Sequence, residues 1–300
     1  MDRIQHSFRL LAVPVLLIIS ACIGYCSILY QWNYDLVVSG TLVFVMLYIL
    51  VCEKIIPLKM AWEENRMDIK TDLIYFVIAA ILSGVAAFAS LSLMLRLHDW
   101  LDLELTIWNS LPFVLVFIVA NLIGEFIPYW YHRISHIANQ KSGISMFLWN
   151  MHAIHHIPTR MNLLKTNWMH PINMFVNIFT KLFPLQLLGF NKEIIFTVGL
   201  LNMIIAYLSH ANISVRTGIL DYIIVTPAIH HFHHSTNRKE ALNYSNILPF
   251  WDLVFGTYFN NGKSVSQVGI FKDDNAPYPK LNQIGKHMLF PFQRKNLDHS

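Results

Sequence analysis

Charge is scarce in this 300-residue chain: Asp, Glu, Lys and Arg make up 13% of it and hydrophobic residues 55%. Water-soluble domains carry roughly a quarter charged residues, so an ordinary soluble globule is excluded. Cysteine is almost absent, and Cys22, Cys26 and Cys52 all sit in apolar runs, which excludes a disulfide framework. There is no G-x-G-x-x-G, no C-x-x-C-H, no ferredoxin-type cysteine set and no H-E-x-x-H. Those absences remove a dinucleotide fold, a covalent haem attachment, an iron–sulfur cluster and a zincin hydrolase. The net charge of +4 comes from basic residues flanking apolar runs. Attraction to anionic headgroups accounts for it, and no nucleic-acid partner is expected.

What is abundant is long uncharged sequence. Leu10 to Tyr30, Leu36 to Cys52, Leu73 to Leu95 and Leu105 to Gly124 each come close to the ~20 residues that cross a bilayer as helix. Two further apolar runs, Pro171 to Asn191 and Ile194 to Ser209, are joined by Lys192-Glu193, and the first is interrupted by Lys181 and Pro184. They read as a helical hairpin that either spans or re-enters the membrane. With the N-terminus inside, 19 of the 22 basic residues fall on one side, which the retention of Lys and Arg in the cytoplasm assigns to the inner face. The outer link from Arg96 to Glu104 is acidic, with Asp99, Asp102 and Glu104.

Most of the fifteen histidines lie between His132 and His234, on that same side. They form three clusters: His132 with His136, His152 with His155 and His156, and His230 with His233 and His234. The pattern H-x-x-H-H is expected by chance roughly 0.04 times in this length, and here it occurs twice. Residues three and four apart share a helical face, so each cluster can aim its rings at one point. Many imidazoles crowded together carry a like-charge cost on protonation that metal binding removes, and imidazole suits iron, zinc, copper and nickel alike. His231 falls off the three-and-four spacing and reads as a bystander.

These blocks resemble the fatty acid hydroxylase and sterol desaturase superfamily of membrane di-metal oxygenases. The resemblance runs from Glu125 and Tyr129-Trp130-Tyr131-His132-Arg133 to His136, through His152 to His156, Trp168-Met169-His170-Pro171 and His210-Ala211-Asn212-Ile213. It continues through Thr226-Pro227, His230 to Ser235, Asn243 to Asn246 and Trp251 to Thr257. The family often has Gly where Ser245 stands and Asp where Glu125 stands, and the link between His136 and His152 is longer than in many relatives.

Membership implies an all-α integral membrane helical bundle, four spanning helices plus a helical hairpin, with a cytosolic histidine-rich helical cap. Residues 1–105 would supply transmembrane helices, 106–260 the catalytic domain and 261–300 a cytosolic tail. The metal ligands carried over are His132, His136, His152, His155, His156, His170, His210, His230, His233 and His234. Glu125, Asn212, Asn243 and Asp252 are candidates to orient ligand rings by accepting the second imidazole N–H. The implied cofactor is a pair of iron ions with O2 as co-substrate, acting as a monooxygenase on a lipid drawn from the bilayer. Two electrons per turnover would come from a separate donor protein, a reductase, ferredoxin or cytochrome, since no redox domain is fused here. Lipid desaturation on the same site is the nearest alternative, and a membrane metal transporter or haem protein a distant one.

Overall fold

The computed structural model describes residues 3–62, 66–101, 107–137, 143–274 and 276–293, and within them the chain is helical with no strand. Asp102, Glu104 and Leu105 of the acidic link, part of the link between His136 and His152, and His299 of the tail lie outside the described residues.

Four long helices cover the first expected spans: α1 (Arg3–Leu29), α2 (Tyr34–Ile55), α3 (Arg66–Leu101) and α4 (Phe113–Ile137). Each contains a stretch of at least 22 residues apolar enough to cross a membrane. Their outward faces are hydrophobic, with Leu36, Phe88 and Val114 all more than two-thirds exposed. Such a surface is costly against water and suited to hydrocarbon. This is a membrane protein.

After α4 comes α5 (Gly143–His156), then the hairpin of α6 (Pro171–Leu187) and α7 (Lys192–His210), and the short helices α8 (Pro227–His233), α9 (Phe250–Val254) and α10 (Ile284–Leu289). Capping sets the hairpin's bounds: the Asn191 side chain accepts from Ile194 N–H at 2.9 Å, and Pro171 stands at the start of α6, where a missing N–H costs nothing. α7 is the fifth helix of span length, whereas the 17 residues of α6 rise only ~25 Å, short of the ~30 Å hydrocarbon core. The hairpin leaves the histidine end and returns to it. Asn173, in the first turn of α6, lies against His152, and His210 ends α7 beside His155 and His230. At the far end the Trp108 indole donates to the Leu188 carbonyl and stacks on Phe190.

α6 lies close along α4. A Cβ on Gly124 would come within 3.4 Å of the Lys181 carbonyl and of Leu185, so the small residue sets the spacing. One step further on, the Lys181 ammonium pairs with Glu125 at 2.5 Å and also reaches Asn202 of α7. The lysine that interrupts the first hairpin run is thus a partly buried tie between three helices. A second apolar core joins α1, α2 and α7 through Leu16, Val45, Ile49, Leu200 and Ile204 and continues to Ile229 of α8.

Candidate metal centre

Four helix ends meet at one end of the bundle. α4 runs unbroken past its apolar stretch to present His132 and His136 one turn apart, and α5 ends on His152, His155 and His156. α7 ends on His210, and α8 places His230, His233 and, at its C-cap, His234. All nine rings are buried.

They separate into two subsites. In the first, His132, His136, His152 and His233 bring one ring nitrogen each within 4.8 Å of the others. His132 Nε2 lies 3.0 Å from His152 Nε2 and 2.9 Å from His233 Nε2, and His156 Nε2 joins them 3.0 Å from His152 Nε2. In the second, His155, His210, His230 and His234 converge likewise. Their Nε2 atoms follow one another at 3.1, 3.0 and 3.2 Å. The subsites touch where His156 and His234 stack with centroids 4.5 Å apart.

The donor set fits an ion in each subsite. Two nitrogens bound ~2.1 Å from one ion at right angles lie ~3.0 Å apart, which is the spacing of these pairs. As a hydrogen-bond network the arrangement fails, because a set of Nε2 atoms facing one another has too few protons to share. Both nitrogens of His136 and the Nδ1 atoms of His156, His230 and His234 are buried with no hydrogen-bond partner. Burial also keeps the rings neutral: desolvation pushes the His155 imidazole down to about 4 although the Trp168 carbonyl favours its protonated form. His152, His156, His230, His233 and His234 are held well below the ordinary histidine range by desolvation first and by their neighbours second. Uncharged imidazole is the form that binds metal.

The second nitrogen of four rings is held by main chain. His132 Nδ1–H donates to the Tyr244 carbonyl at 2.6 Å, His155 to Trp168 at 2.8 Å, His210 to Ala206 at 2.9 Å and His233 to Leu242 at 3.0 Å. Each bond fixes the tautomer that leaves Nε2 unprotonated toward the subsite. The expectation that Glu125, Asn212, Asn243 and Asp252 accept imidazole protons directly is therefore corrected, because carbonyls occupy that role and these side chains act one step back. Four consecutive N–H groups donate to two buried carboxylates: Tyr244 and Ser245 to Asp252 at 2.8 and 2.9 Å, Asn246 and Ile247 to Glu125 at 3.0 and 2.9 Å. Their grip aims the Tyr244 carbonyl at His132. Asn243 takes the left-handed conformation, φ 61°, that a short polar side chain tolerates, and its amide bonds Ile229 and Phe259. Asn212 bonds Lys59.

His170 lies outside both subsites. Its Nδ1 accepts from Ile172 N–H, capping α6, and its Nε2 lies 3.2 Å from the Met288 carbonyl. His231 faces away and meets the Trp62 ring edge-on. Tyr129 and Trp168 are fully buried. Sequence reasoning missed Asp72 and Lys165, whose buried ion pair sits beside Trp168, and no motif or spacing marks them.

The fatty acid hydroxylase family model matches residues 117–257. Residues 117–257 form a fatty acid hydroxylase domain. The family segment holds every histidine of both subsites. Over 251 residues the chain is 28% identical to ornithine lipid hydroxylase OlsE of Rhizobium tropici, covering 79% of this chain and 70% of that one. It is 28% identical over 201 residues to human alkylglycerol monooxygenase, covering 65% of this chain but 41% of the relative. It is also 28% identical over 194 residues to the rice very-long-chain aldehyde decarbonylase GL1-4, where it spans 28% of the relative. No solved structure matches.

Proposed function

We propose that this chain is a membrane-bound di-iron monooxygenase that hydroxylates an unactivated C–H bond of a bilayer lipid. The observation that carries the reading is the pair of buried histidine subsites, whose rings are neutral and spaced for two ions. The nine ligands are His132, His136, His152, His156 and His233 in one subsite and His155, His210, His230 and His234 in the other, and His170 serves α6 instead.

Iron bound there supplies the O2 activation and C–H cleavage that protein side chains lack. The chain's own residues do the rest. The histidines hold the ions, the carbonyls of Tyr244, Trp168, Ala206 and Leu242 keep the Nδ1 protons off the metal side, and the bundle excludes water. Each turnover consumes one O2, two electrons and two protons and yields an alcohol and water, and the electrons come from a separate donor protein. Ornithine lipid hydroxylase and alkylglycerol monooxygenase, named for lipid oxidation, support a substrate with a polar head and a hydrocarbon chain. The metal end lies at the foot of the spans, where such an amphiphile slides its tail in without leaving the bilayer. Residues 106–260 are the catalytic unit, and the histidine end faces the cytoplasm, as the distribution of basic residues favours.

The test is product analysis. Membranes carrying the wild type, a chemical reductant and isotopically labelled O2 should yield lipid with one labelled oxygen, and the His155→Ala variant should yield none. Lipid that only loses two hydrogens overturns hydroxylation in favour of desaturation. Wild-type protein holding fewer than two metal ions per chain after iron loading overturns the di-metal reading itself.

A further inference from the structure

Two carboxylates from helices that carry none of the nine histidines reach toward the second subsite. Glu53, at the end of α2, accepts from the N–H groups of Leu163 and Asn212, both at 2.9 Å, and Asn212 follows His210 by two residues. Asp72, near the start of α3, is completely buried, and both its oxygens receive the Lys165 ammonium, at 2.7 and 2.8 Å. The indole N–H of Trp168 donates to the same carboxylate. The Trp168 ring stacks on Tyr75, one turn further along α3, and Tyr75 in turn bonds His287 at 2.7 Å. Asp72 and Glu53 both precede residue 117, where the family match begins.

We propose that Asp72 is a positioning residue for the second subsite, acting through Trp168 on His155. The proposal rests on the di-metal reading above. Asp72 holds the short 3₁₀ turn Leu163–Asn167 and the residue after it at two points, the Lys165 ammonium and the Trp168 indole. Of the two, the indole contact sets the direction of the Trp168 carbonyl, which accepts the Nδ1 proton of His155 and leaves Nε2 facing His210 at 3.1 Å. The first subsite has a different support, since the Tyr244 carbonyl is aimed by Asp252 and Glu125 from within the family segment. The two subsites are thus secured by separate carboxylates, and loss of Asp72 should empty one and spare the other.

The experiment uses the full chain in nanodiscs, loaded with cobalt(II), with metal per chain and cobalt absorption bands read after desalting. Two double variants separate orientation from charge. Asp72→Asn with Lys165→Met removes the ion pair and keeps an acceptor for the indole, whereas Asp72→Leu with Lys165→Met removes both. Wild type and the Asn variant should hold two ions; the Leu variant should bind its second ion ~10–100-fold more weakly, the usual effect of losing a group that orients a ligand. Adding His136→Ala to the Leu variant should remove the remaining ion, and adding His234→Ala should not. Trp168→Phe deletes the indole N–H with both charges in place and should weaken the same subsite. It decides the matter if the Leu variant does not fold. Full binding of two ions in the Leu variant or in Trp168→Phe overturns the role of Asp72 and leaves the di-metal reading standing, as does equal loss in the Asn and Leu variants. Fewer than two ions in the wild type overturns both.

Discussion

The Glu125–Lys181 pair allows a quantitative test of how the hairpin supports the first subsite. The Glu125 side chain is 1% exposed and that of Lys181 15%, the charged groups lie 2.5 Å apart, and Glu125 also accepts two N–H groups from the loop that orients His132. Glu125→Ala strands a largely buried ammonium, at a cost of about 3–5 kcal/mol, and orphans the part-buried N–H of Asn246 and the buried N–H of Ile247, at up to about 1–3 kcal/mol each. The sum rivals the whole stability of a typical domain, about 5–15 kcal/mol, and this variant should not accumulate folded. Glu125→Gln keeps an acceptor for the loop and should lose only the ion-pair share, about 3–5 kcal/mol. Lys181→Met should cost a comparable amount, because the carboxylate then lacks its cation. The double variant Glu125→Gln with Lys181→Met buries no charge and should recover most of the loss, a coupling of at least about 2 kcal/mol. Chemical denaturation of the nanodisc-embedded protein, followed by tryptophan fluorescence, measures the cycle. Additive losses in the double variant would show that the two groups do not act as a pair, and the reasoning would fail.

His170→Ala should retain two metal ions per chain while lowering thermal stability by about 1 kcal/mol, the usual worth of an N-cap; loss of an ion on elemental analysis would return His170 to the ligand set. Single cysteines introduced at Lys192 and at Lys272 in a cysteine-free background should label from opposite sides of the membrane with an impermeant reagent. Labelling of both from one side would refute the hairpin's out-and-back path.

Much of the site could be read from residue identity and spacing. Clusters such as His152 with His155 and His156 depend on the helical repeat, and the structure gathers them with His132, His136 and His210 at one end of the bundle. The four long apolar helices were legible because uncharged runs of that length have few other uses. α6 was not, since 17 residues broken by Lys181 and Pro184 fit a span or a re-entrant arm equally, and only the partners of Lys181 on α4 and α7 resolve what the lysine does. The orienting groups escaped for another reason. Carbonyl oxygens have no side-chain signature, so Trp168 and Tyr244 gave no sign that they hold His155 and His132, and the natural guess fell on acidic and amide side chains, Glu125, Asn212, Asn243 and Asp252. Asp72 lies 83 residues before His155 and belongs to no pattern.

The oxygens that orient His132, His155, His210 and His233 belong to the main chain at Tyr244, Trp168, Ala206 and Leu242. Every amino acid carries that oxygen. Substitution at these positions deletes no acceptor and acts only by bending the path of the chain, as the Trp168 indole illustrates. The nine histidines have no such latitude, because only the side chain brings the nitrogen. Substitution therefore bears on the two halves of the proposed centre unequally: the half suited to grip metal depends on each side chain, while the half that steers it tolerates most changes of residue.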